Sequence, residues 1–137
     1  MRDPERTEMI LCYGRDAILL ETRQRVLERI GVPVAVVSAA SDFRAAVREA
    51  EPALILLCQS LSSEECTSAA YFASEHSPAS KVLVMYVVEP CCVLPQEHEE
   101  FFSMDGPAAL VKTVNRMIYG AMRAPAHPPL EPYRDRV

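Results

Sequence analysis

The chain has no apolar run approaching the ~20 residues of a membrane span, so it is not read as a membrane protein. It has no Cys-x-x-Cys pair and no Cys/His ladder, which leaves nothing on which to build a zinc site. It has no glycine-rich phosphate loop either. Gly14 is the only glycine in the first strand–helix turn, which argues against a nucleotide or flavin enzyme. Basic charge is also short: 14 Lys and Arg stand against 19 Asp and Glu, a net charge of −5, and a nucleic-acid binder usually carries a basic face. The opening residues, MRDPERTE, have no apolar segment behind their charges, so no secretory leader is expected and cytoplasm is the default location. No internal repeat is visible. What is present is a 137-residue chain, 50% hydrophobic and 24% charged, as in an ordinary soluble globule. A single domain of this size buries roughly two thirds of its unfolded surface, enough for a core without staples.

The stretch that organises the rest is EPALILLCQS, residues 51–60. Leu54, Ile55, Leu56 and Leu57 are continuously apolar, where a half-exposed strand would alternate. Such a run predicts a strand covered on both faces, as in a parallel sheet with helices above and below. In open α/β sheets the ligand crevice lies outside the carboxyl ends of the strands, so the residue to watch is Cys58.

In chain order, Met9–Tyr13 predicts a first strand, broken by Gly14-Arg15-Asp16. A helix follows to about Ile30, with Leu19, Leu20, Val26, Leu27 and Ile30 as its apolar stripe and Glu21–Arg25 as a favourable i,i+4 pair. Gly31 and Pro33 stop it. Val34–Val37 is a second strand. Ser41 is placed as the cap of a helix whose Phe43, Ala46, Val47 and Ala50 follow i, i+3, i+4, i+7, and Pro52 ends it. After the third strand, Ser62 and Glu65 form a capping box for a helix carrying Cys66, Ala69, Ala70 and Ala73. Val82–Val88 is the fourth strand, and Phe101-Phe102 a very short fifth. Gly106-Pro107 opens a last helix that buries Leu110, Val111, Val114, Met117 and Ile118.

The expected organisation is an N-terminal extension over 1–8, one domain over 9–123, and a proline-rich flexible tail over 124–137. The order βαβαβαβ, an irregular link, then βα predicts a flavodoxin-like five-stranded parallel sheet, order 2-1-3-4-5, with helices on both faces.

Four segments carry a resemblance. MILCYGRDAILLETRQRVLERIG, EPALILLCQSL, KVLVMYV and FFSMDGPAALVKTV are similar, in order and spacing, to the corresponding segments of a CheY-like response-regulator receiver domain, over roughly Met9–Tyr119. The resemblance implies the receiver fold and two-component or phosphorelay signalling. It also implies an acid pair after the first strand, a phosphorylated aspartate after the third, a switch Ser or Thr after the fourth, and a lysine then proline after the fifth. This sequence departs at each. The acid pair falls on Gly14 and Arg15, leaving Asp16 as the one acid of that loop; the phospho-acceptor position holds Cys58; the switch hydroxyl falls on Tyr86; the lysine and proline fall on Ser103 and Met104. Phosphoryl transfer to a receiver needs a carboxylate nucleophile and a Mg²⁺ held by oxygen ligands, and these residues supply neither.

The expected molecule is therefore a degenerate receiver, not an enzyme, with no cofactor or metal and no phosphorylation on aspartate. It would act by docking a protein: a histidine kinase, an output domain or a second copy of itself. Only 17 positions separate Tyr86 from Ser103, with Pro90 and Pro95 among them, so the fourth helix of a receiver is expected to be shortened or lost. That link lies on the usual partner face, which makes Cys91, Cys92, Phe101 and Phe102 the candidate partner surface. The alternative is a small redox-responsive protein using Cys58, with Arg15 close enough to stabilise a thiolate. Cys12 and Cys66 sit at apolar positions and read as small buried hydrophobes. Adjacent Cys91 and Cys92, with His98, are a poor metal set.

Overall fold

The computed structural model describes residues 8–88, 94 and 97–123. Five strands form one sheet: β1 (Ile10–Tyr13), β2 (Val34–Val37), β3 (Leu54–Leu57), β4 (Lys81–Tyr86) and β5 (Glu99–Phe102). Their order is β2-β1-β3-β4-β5, and every pairing is parallel. Four helices accompany them: α1 (Ala17–Leu27), α2 (Ala40–Ala50), α3 (Ser63–His76) and α4 (Pro107–Arg123). Among the described residues no helix stands between β4 and β5, in keeping with the short link, and no helix is long and apolar enough to cross a membrane.

The continuous apolar strands work as the sequence implies. Side chains alternate between faces, so β1 and β3 feed two cores at once. Ile10, Cys12, Leu54, Leu56, Leu83 and Met85 point toward Leu20 and Leu27 of α1 and Leu110, Val114, Met117 and Ile118 of α4. Leu11, Tyr13, Ile55, Leu57, Val82 and Val84 point toward Phe43 and Val47 of α2 and the small face Cys66, Ala69, Ala70, Ala73 of α3. The alanines let α3 lie close to the sheet. Cys12 and Cys66 are both buried hydrophobes of these layers.

Local signals settle most boundaries. The Ser62–Glu65 capping box is formed in both directions, and Pro107 is the first residue of α4. Gly31 ends the turn after α1 with φ 98°, a left-handed conformation that suits glycine. Two expectations differ. Ser41 does not cap α2: the helix starts a turn-fraction earlier, from Ala39, with no side-chain cap, because the extended backbone of Ala39 already leads into the first helical bond. The same helix ends before Pro52 as expected, with Glu51 as its C-cap in the left-handed region (φ 46°). Lastly, β4 ends at Tyr86, since β5 pairs only as far as Phe102 opposite it. Val87 and Val88 are left 47% and 87% exposed.

The β5–α4 unit is braced within itself and tied back to β4 at two points. Inside the unit, Arg116 of α4 grips Glu99 of β5 through Nη1 and Nη2, at 3.0 and 2.6 Å. The Ser103 hydroxyl donates to the Tyr86 carbonyl at 2.7 Å, and Lys81 Nζ to the Met117 carbonyl at 2.7 Å.

Candidate functional site

The carboxyl ends of β1 and β3 bring Gly14, Arg15, Asp16 and Cys58 together, as parallel pairing of Tyr13 with Leu57 requires. The Cys58 amide donates to the Tyr13 carbonyl at 2.9 Å, and the Gly14 amide to the Val37 carbonyl at 3.2 Å. Gly14 is pressed against β3. A Cβ there would lie 2.9 Å from Cys58 Cβ and 2.9 Å from Ser60 Oγ, closer than carbon side chains come. The space in which an acidic side chain would begin is therefore already filled.

Ser60 does the filling. Its hydroxyl accepts the Arg15 amide at 2.8 Å and lies 3.4 Å from the Asp16 amide, closing the loop that leads into α1. Asp16 is used as the N-cap of that helix: its Oδ1 accepts from Ile18 and Leu19 amides, each at 3.1 Å. Its carboxylate is thereby turned to the helix.

Arg15 does not face Cys58. Its guanidinium reaches Glu65 at the start of α3, with Nε at 2.7 Å, and Nη1 donates to the Ser38 carbonyl at 3.0 Å. One side chain thus staples the ends of β1 and β2 to the start of α3. The Ser62 backbone amide and Arg15 together hold the Glu65 carboxyl below the ordinary range. The cation beside Cys58 is Arg23, which hydrogen-bonds to it from α1. Burial nonetheless dominates and pushes the thiol up, with Arg23 opposing. Cys58 is 3% exposed. Arg23 Nη1 is itself buried without a hydrogen-bond partner.

The other expected positions lie further along the sheet. Tyr86 and Phe102 stack side by side on β4 and β5, ring centroids 5.5 Å apart, and Ser103 spends its hydroxyl on the Tyr86 carbonyl. Phe101 is 6% exposed and belongs to the core between the sheet, α1 and α4, so of the two phenylalanines only Phe102 reaches the surface. Alternation within the strand forces that split. Cys91 and Cys92 lie outside the described residues.

This donor set is the wrong one for the Mg²⁺ of a receiver. Gly14 has no side chain, Arg15 is a cation, Asp16 is committed to the helix, and Cys58 offers a protonated sulfur where a hard ion takes oxygen. Among the described residues no cluster of three His, Cys, Asp or Glu side chains suits a metal. The residues do not fit the ion. Two residues of this crevice, Ser60 and Arg23, are not picked out by the sequence reading. Ser60 lies in the turn just past Cys58, where the chain folds back on the β1 loop. Arg23 sits at i+3 from Leu20 and i−4 from Leu27, an arginine inside an apolar stripe.

No protein-family model matches the sequence, and no curated protein matches it. Solved structures do match. A CheY-like response regulator receiver domain protein from Methanospirillum hungatei superposes with a TM-score of 0.71 at 16% identity, covering 86% of this chain and 98% of the other. The signal receiver domain of a putative Luxo repressor protein from Vibrio parahaemolyticus gives 0.70 at 11% identity, covering 88% and 96%. A response regulator from Thermotoga maritima gives 0.65 at 18% identity, covering 82% and 98%. The chain has the fold of a CheY-like response-regulator receiver domain.

Proposed function

We propose that this chain is a pseudo-receiver: a docking module of two-component-type signalling that takes no phosphoryl group on aspartate and catalyses no reaction. The observation that carries the proposal is the filled pocket. Gly14 packed on Cys58 and Ser60 leaves no room for an acid at the first position, and Cys58 supplies no carboxylate at the second. Phosphoryl transfer depends on positioned anionic oxygens and a metal, and neither part can be assembled from these side chains.

Docking is supported by what surrounds the pocket. Ile18 (76% exposed), Val88 (87%) and Met104 (72%) are large apolar residues left in water. They follow β1, β4 and β5 respectively, so parallel topology puts all three at the carboxyl edge of the sheet. Apolar groups gathered at one edge mark a surface that is covered in use. A histidine kinase, an output domain or a second copy is the class of partner. Burial of Cys58 and the upward push on its thiol weigh against a redox role.

Incubation with acetyl phosphate and Mg²⁺, followed by intact-mass measurement, is the test. The expected result is an unchanged mass. A gain of one phosphoryl group labile to hydroxylamine would overturn the proposal.

A further inference from the structure

We draw no further inference here: the strongest candidate, the groove at the amino edge of the sheet between the starts of β4 and β5 and the last turns of α4, has its Val82 and Met117 buried, its Arg116 engaged by Glu99 and its Lys81 by the Met117 carbonyl, and nothing in the structure shows what covers it.

Discussion

The Ser60 hydroxyl accepts the backbone N–H of Arg15 at 2.8 Å, and it does so from the space a side chain at Gly14 would enter. A residue two places beyond the degenerate acceptor position thus organises the loop that an acid pair would otherwise occupy.

Gly14 should therefore resist substitution. Gly14→Ala places a Cβ 2.9 Å from both Cys58 Cβ and Ser60 Oγ; overpacking of this kind costs about 1–3 kcal/mol. Denaturant titration would measure it. Gly14→Asp should be at least as destabilising, and millimolar Mg²⁺ should leave its melting temperature unchanged. A variant as stable as the parent would show that the pocket has slack.

The central strand should tolerate little. Ile55 and Leu56 are fully buried, one in each core. Ile55→Ala or Leu56→Ala should each cost about 2–5 kcal/mol, since a strand covered on both faces cannot close around a cavity. Equilibrium unfolding gives the value directly.

Cys58 should alkylate slowly. In a variant keeping only that cysteine, labelling should need alkaline pH or denaturant, because burial disfavours the thiolate. Arg15→Ala should not change the rate, as Arg15 is bound to Glu65; Arg23→Ala should slow it further. The sign for stability follows. A thiol whose folded value is raised contributes fully below the ordinary thiol range, and the contribution is lost as pH rises through the folded value. Chemical melts above neutral pH would register that loss.

Glu65 titrates in the other direction. Its carboxyl is held low by the Ser62 amide and by Arg15, so its contribution is present above the ordinary carboxylate value and disappears as pH falls through the folded one. Glu65→Gln should lower the melting temperature at neutral pH, and the gap to the parent should shrink below about pH 4. Side-chain exposures of 53% for Arg15 and 26% for Glu65 keep the ionic part small and sensitive to salt. Ser62→Ala, which removes the cap itself, should cost about 1 kcal/mol.

The partner edge can be probed apart from stability. Ile18→Glu, Val88→Glu and Met104→Glu alter exposed side chains, so each should change stability by no more than about 0.5 kcal/mol. Capture of a partner protein from the source cell's lysate should weaken in all three, and undiminished capture would place docking elsewhere.

Much of this was legible in the sequence where one requirement dominated. Leu54–Leu57 had to be covered on both faces, and Phe43 and Val47 had to share a helix face; both follow from hydrophobic periodicity alone. Other residues answered to neighbours remote in sequence. Arg15 adjoins the pocket in the chain, yet its side chain left for Glu65, 50 residues on, where a capped helix terminus offered a carboxylate. Arg23 entered instead, from a stripe that otherwise reads as core. Phe101 and Phe102 look equivalent as letters, and only their strand pairing with Met85 and Tyr86 assigns one inward and one outward. The α2 cap shifted from Ser41 to Ala39 because backbone geometry, not a hydroxyl, began the helix.

The ties from β4 to β5 and α4 have a consequence for chain continuity. The sheet ladder to β4, the Ser103 bond to the Tyr86 carbonyl and the Lys81 bond to the Met117 carbonyl hold this unit to the rest without using the backbone that joins them, while Arg116 on Glu99 braces α4 to β5 inside it. A chain nicked between Val88 and Glu97 would remain one particle, and the two pieces, made separately, would complement each other into it. The Glu99 carboxyl is held low chiefly by Arg116, so acid that protonates it would loosen α4 from β5 within the unit. The connection after β4 is then free to vary in length and composition while the receiver scaffold stays whole.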